Sequence, residues 1–218
     1  MIKNDNKNNY RTDSGRIYSE KWLKSLKNGE ILSILFTGVG GQGIILATKV
    51  VAECAIASGF DVKVSEVHGM AQRGGSVEGS VRVGKEVFSP IIGEADFIIA
   101  LEKLEGLRYL SKLDSKGFII INDYEIYPAT VFLKGNVYPQ DIENEISRVT
   151  NNYIFIKAME IAKKLNKIKT SNMVLLGALS NFIPFNYKSW VSAIERSVPK
   201  EAVEVNIEAF NQGKKLII

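Results

Sequence analysis

Cysteine and histidine are nearly absent. The chain of 218 residues has one of each, Cys54 and His68. A lone cysteine excludes an internal disulfide, a Cys-x-x-Cys redox pair and the thiolate set of an iron–sulfur cluster. The two residues together cannot build a His/Cys zinc site without carboxylate help. Long apolar runs are missing as well. No stretch nears the roughly 20 apolar residues of a membrane span. The start, Met1-Ile2-Lys3-Asn4-Asp5, opens no signal-peptide core. With an unpaired cysteine, these absences point to the cytoplasm. Also lacking are internal repeats, a Ser/His/Asp order, an HExxH motif and a readable carboxylate pair, so a self-contained active site is not expected.

What is present is ordinary soluble globular protein, 45% apolar and 24% charged. The length suits one domain of generous size, or one domain with an appendage, and supports a core without staples. Lysine and arginine exceed aspartate and glutamate by four, but unevenly. Residues 1–30 carry seven basic and four acidic side chains, a net +3, which leaves +1 for residues 31–218. No basic stripe with interleaved aromatics marks the folded part, so nucleic acid is not expected as a partner. The chain therefore reads as a flexible basic extension, 1–30, ahead of a near-neutral domain, 31–218. Residues 1–16 are rich in Asn, Lys and Asp and are expected to be disordered. Ser19 to Leu26 suits a short helix ended by Gly29.

From residue 31 strands alternate with helices. Apolar runs predict buried strands at Ile31–Thr37, Asp96–Leu101 and Gly117–Asn122. Asp61–Val67, with Val62, Val64 and Val67, is another. Ser76–Arg82 and Glu86–Phe88 suggest a hairpin around Val83-Gly84-Lys85. Thr130–Tyr138 reads as extended. Helices are predicted at Ile44–Ala57, Glu102–Lys112, Gln140–Arg148, Ile156–Leu165, Asn172–Phe182, Tyr187–Ser197 and Pro199–Gln212, the last with Gly213 as its cap. The fold class that follows is α/β, three-layer and Rossmann-like. Its sheet is mainly parallel, with helices on both faces and a helical C-terminal third. The stretch Met173 to Leu179 is apolar nearly all round and must be buried, centrally or against a partner.

Two glycine loops interrupt this pattern. Gly38-Val39-Gly40-Gly41-Gln42-Gly43 lies between a strand and a helix with the spacing G-x-G-x-x-G. Such glycines permit a tight turn, close backbone approach to phosphate and close helix–strand packing. The helix start adds unpaired N–H groups and a positive dipole. A dinucleotide site also wants an acid about 20 residues on, and Glu66 stands near there. A plain turn, an anion site, an NAD or FAD site and a subunit contact all remain open for this loop.

The second loop, Glu66-Val67-His68-Gly69-Met70-Ala71-Gln72-Arg73-Gly74-Gly75-Ser76, follows a strand carboxyl end, where open α/β sheets place ligands. Arg73 offers a planar fork to a carboxylate or phosphate. His68 can donate, accept or shuttle a proton. A structural hydrogen bond is the plainer reading of a single loop histidine. Cys54, flanked by Val50 and Val51 on its helix, reads as an apolar core residue. Asn122 and Asp123 end a strand and read as turn chemistry or a ligand contact.

The strings Gly38-Val-Gly-Gly-Gln-Gly-Ile44 and Glu66-Val-His-Gly-Met-Ala-Gln-Arg-Gly-Gly-Ser-Val77, with Asn172-Met-Val-Leu-Leu-Gly-Ala178, carry a resemblance. The chain resembles the gamma-subunit family of 2-oxoacid:ferredoxin oxidoreductases, and within it the small subunit of indolepyruvate:ferredoxin oxidoreductases, over about residues 31–213. That resemblance implies oxidative decarboxylation of a 2-oxoacid, acyl transfer to coenzyme A and electron transfer to ferredoxin. It implies thiamine diphosphate and iron–sulfur clusters on a large partner subunit. It further implies that Gly38, Gly40, Gly41, Gln42, Gly43, His68, Gln72, Arg73, Gly74 and Gly75 face the shared site or the coenzyme A channel. No catalytic residue and no metal ligand is assigned to this chain. Two rivals are a stand-alone dinucleotide-binding protein and a scaffold relative without activity.

Overall fold

The computed structural model describes residues 12–68, 75–127 and 138–217. Its elements run α1 (Thr12–Lys27), β1 (Leu32–Val39), α2 (Ile44–Ala57), β2 (Asp61–His68), β3 (Ser76–Gly84), β4 (Ala95–Ala100), α3 (Lys103–Tyr109), β5 (Leu113–Asn122), α4 (Ile142–Val149), β6 (Tyr153–Ile156), α5 (Ala158–Lys164), α6 (Ser171–Leu179), α7 (Tyr187–Ser197) and α8 (Val203–Lys214). The six strands form one sheet in the order β2-β3-β1-β4-β5-β6. The pairs β1–β4, β4–β5 and β5–β6 are parallel, whereas β3 runs antiparallel to both β1 and β2. The expected α/β class with a mainly parallel sheet is therefore present, with one reversed strand inside it.

Burial explains the layers. All eight residues of β1 are buried, as its apolar run requires of a strand covered on both faces. Ile34, Phe36, Phe97, Ile99, Phe118 and Ile120 point to one face and pack with residues of α1, α2, α6, α7 and α8. Leu35, Ile98, Ala100, Ile119 and Ile121 point to the other, beneath α3, α4 and Tyr138. This alternation is the two-residue period of a strand. Every residue of α6 is buried within the chain. Its all-round apolarity is thus met centrally and calls for no partner.

The close crossing of α6 and α8 rests on two glycines. A Cβ at Gly177 would lie 1.9 Å from the Phe210 carbonyl oxygen, and one at Gly213 would lie 1.8 Å from that of Val174. Gly213 is therefore an interior packing residue of α8, not the cap beyond its end. Trp190, 1% exposed, sits inward against Phe185 and Phe210. Cys54 is wholly buried on α2, and burial pushes its thiol pKa up, in line with the expected core role.

Other expectations need correction. The extension is not loose up to residue 30. The helix begins at Thr12, and its Trp22 and Leu26 join the main core. Tyr18 packs edge-on against Phe97, Phe118 and Phe182. The hairpin at Val83-Gly84-Lys85 does not form. The strand β3 stays paired through Val83 with Leu32 and through Gly84 with Asp61, because it has a neighbour on each side. The chain after it folds back instead. Ser80 Oγ donates to Pro90 O, Arg82 Nη1 to Ser89 O, and Val87 N–H to Asp61 Oδ2. Ile156 ends strand β6 rather than starting a helix, since its backbone carbonyl accepts from Asp123 N–H at 2.7 Å. Nearly all of the expected extended stretch Thr130–Tyr138 lies outside the described residues.

Candidate functional site at the strand ends

The helices α2 and α3 follow the neighbouring parallel strands β1 and β4 and lie on opposite faces of the sheet. The strand ends between them make a topological switch point, the place where open α/β sheets form a crevice. The first glycine loop borders it, and Gln42 stitches it shut. The Gln42 Oε1 accepts the Val39 N–H at 2.7 Å, and its Nε2 donates to Leu101 O at 2.8 Å. Asn122 Nδ2, from the end of β5, donates to the same carbonyl at 3.1 Å. Leu101 N–H in turn donates to Thr37 O. The ends of three parallel strands thus meet at Leu101.

Local sequence accounts for this shape. A Cβ at Gly38 would fall 2.6 Å from Gln42 Oε1, so a side chain there would evict the glutamine. Gly43 has φ +84° at the start of α2, a left-handed value that favours glycine. Asn172, in the first turn of α6, donates its Nδ2 to Gly43 O at 3.1 Å. Two buried polar atoms at these strand ends, Thr37 Oγ1 and Asn122 Oδ1, have no protein partner. Such unsatisfied buried polar atoms are uncommon, and here two of them sit together where the parallel strands end.

The first glycine loop meets the end of the second. Gly40 N–H donates to Gly75 O at 3.3 Å. Gly38, Gly40, Gly41, Gln42, Gly43 and Gly75 are therefore brought into one rim. His68 is the last residue of β2, in register with Val77. Gln72, Arg73 and Gly74 lie outside the described residues.

Two carboxylates that sequence reasoning missed complete the rim. Glu102, 1% exposed, caps α3 by accepting the Glu105 N–H at 2.9 Å. It also accepts Tyr138 Oη–H at 2.5 Å and Ile126 N–H at 3.2 Å. Burial foremost, and then the bond to Glu102, push the Tyr138 phenol pKa up. Glu105, 3% exposed, accepts Ser76 Oγ–H at 2.5 Å and faces Arg108 Nε at 3.6 Å. Burial raises its pKa, against the opposing pull of Ser76 and Arg108. The signal was the Glu-x-x-Glu spacing after a buried strand, a helix-start pattern, but its burial is a tertiary property.

The dinucleotide reading loses its acid. Because β3 intervenes, β2 lies two strands from β1, about 10 Å away. Glu66 there takes a hydrogen bond from Thr48 Oγ1 at 3.0 Å, on α2. An iron–sulfur cluster does not fit this chain either, its single thiol being buried in the core. Among the described residues no group of three or more His, Cys, Asp or Glu side chains is placed to hold a metal ion. No described helix is long and apolar enough to cross a membrane.

Known proteins share this architecture. Residues 33–216 match the pyruvate ferredoxin/flavodoxin oxidoreductase family. The chain is 38% identical over 188 residues to the indolepyruvate oxidoreductase subunit IorB of Archaeoglobus fulgidus, covering 84% of this chain and 93% of that one. It is 36% identical over 190 residues to the corresponding subunit of Pyrococcus horikoshii, covering 84% and 94%. The gamma subunit of a keto/oxoacid ferredoxin oxidoreductase from Geobacter sulfurreducens superposes with a TM-score of 0.65 at 22% identity, over 86% of this chain and 96% of that one. A 2-oxoglutarate:ferredoxin oxidoreductase from Magnetococcus marinus gives 0.67 at 22% identity, over 86% of this chain and 31% of that one. The class is that of an oxidoreductase subunit with a switch-point α/β fold. More particularly, the chain belongs to the pyruvate ferredoxin/flavodoxin oxidoreductase family.

Proposed function

We propose that this chain is the non-autonomous small subunit of a thiamine-dependent 2-oxoacid:ferredoxin oxidoreductase acting on indolepyruvate or a related aryl pyruvate. The carrying observation is the 35–38% identity, over more than four-fifths of the chain, to four indolepyruvate oxidoreductase subunits. The single buried cysteine supports it, since the electron carriers then belong to another chain. In this reading a large partner supplies thiamine diphosphate and iron–sulfur clusters. The 2-oxoacid loses carbon dioxide, coenzyme A takes the acyl group, and two electrons leave to ferredoxin.

The contribution of this chain is the rim. Its main-chain amides and Gln42 shape one wall of the shared site, and Arg73 of the second loop offers its fork to a carboxylate or phosphate. No bond-making step is assigned to these residues. The test is co-expression with a thiamine-dependent, cysteine-rich large subunit, then indolepyruvate-dependent dye reduction with and without coenzyme A. Expected are a stable complex, turnover that needs both chains, and dependence on coenzyme A. Turnover by this chain alone, or failure of the two to associate, would overturn the proposal.

A further inference from the structure

The junction between the second glycine loop and β3 is held from outside both elements. Gly75 O takes the Gly40 N–H, and the next residue, Ser76, gives its hydroxyl proton to Glu105 at 2.5 Å. With Glu105 ionised, this is a charge-assisted bond, about twice as strong as a neutral one. Glu105 sits one turn into α3, and Glu102 caps that same turn. The helix start is itself tied to Tyr138 and to Ile126 N–H. The start of α3 therefore holds the Gly75–Ser76 junction where the chain rejoins the sheet.

We propose that Glu105 is a positioning residue that, through Ser76, sets the Gly75–Ser76 junction against the first glycine loop. This rests on the reading that the loops line the site shared with the large subunit. The clasp is ionisation-sensitive. Burial favours the neutral acid, and the groups facing Glu105 oppose one another. At the cap of α3 and along it these are Glu102, Arg108 and Tyr109, whose hydroxyl lies 3.4 Å from Ser76 Oγ. Glu78 on β3 and Lys112 after α3, paired at 3.2 Å, stand next to Tyr109. As pH falls, Glu105 gains a proton and the charge-assisted bond to Ser76 is lost.

The experiment uses the complex of this chain with its large subunit. Ser76→Ala and Glu105→Ala each lower kcat/KM by about tenfold, and the double variant falls no further, as expected when one bond is removed twice. Glu105→Gln retains a neutral acceptor, so its rate lies between wild type and Glu105→Ala. It also lacks the wild-type decline at low pH. Thermal midpoints of the complexes are recorded beside the rates. Additive losses, rates within twofold of wild type, losses that track the midpoints, or a Glu105→Gln profile that keeps the acid decline would each overturn the role. A wild-type complex without turnover would instead count against the oxidoreductase reading. In that case hydrogen exchange at Gly75 and Ser76 of the chain alone decides. Faster exchange in both Ser76→Ala and Glu105→Gln supports the clasp, and unchanged exchange removes it.

Discussion

In the helical layer, α6 and α8 meet as bare backbone, at Gly177 and Gly213, with apolar residues filling the space around them. At the strand-end rim the contacts are polar. Gln42, Asn122, Asn172, Glu102 and Glu105 each reach across to another segment. Close apolar packing tolerates no added atom but carries no chemical message. The rim is the reverse. Its buried amides and carboxylates add little net stability, yet they fix where loops stand.

That contrast can be broken most sharply at the glycines. Gly177→Ala or Gly213→Ala should lose about 4 kcal/mol or more, or fail to fold, because the new methyl group meets a carbonyl below 2 Å. On an open helix the same change would gain about 1 kcal/mol. Chemical denaturation of the two variants measures the sign. Glu102→Ala comes next. It strands the Tyr138 hydroxyl and the Glu105 and Ile126 N–H groups, at about 3 kcal/mol. Tyr138→Phe, by the same assay, should lose about 1–2 kcal/mol.

Smaller effects test the finer parts of the rim. Gln42→Ala leaves the Val39 N–H unpaired and should lose about 1–2 kcal/mol. Gln42→Glu can still accept from Val39 but no longer donates to Leu101 O, so its thermal midpoint should fall between the two. Away from the rim, at the amino end of β4, Asp96 is held near pKa about 6 by burial, although it accepts Ser33 N–H at 2.8 Å. A raised acid favours the fold when protonated. The wild type should therefore lose about 1–2 kcal/mol as pH rises from about 4 to 7. Asp96→Asn keeps the acceptor and should flatten that part of the stability–pH curve. A variant with the wild-type slope would show that another group sets it.

Much of this fold was legible in the sequence. Periodicity placed α2 and α7 to the residue, and apolar runs placed β1, β4 and β5 within a few residues. Pairing was not legible. Val77, Val81 and Val83 of β3 alternate with half-buried Glu78 and Arg82, which marks one buried face but does not name β1 and β2 as the strand's neighbours. Ile156, Met159 and Ala162 have helical spacing, which hid the four residues of β6. At the site, glycine spacing exposed the first loop. Glu102 and Glu105 stayed hidden because a charged helix start normally faces solvent, whereas here both are buried, with Tyr138 and Ser76 as long-range partners.

The central claim is that the rim, not the helical layer, is what this chain brings to its partner. Hydrogen exchange of the chain alone and in complex with the large subunit tests it directly. The account predicts slower exchange on association at residues 38–43 and 101–106, with α6 and α8 unchanged. New protection along α6, α7 or α8, with none at the strand ends, would contradict it.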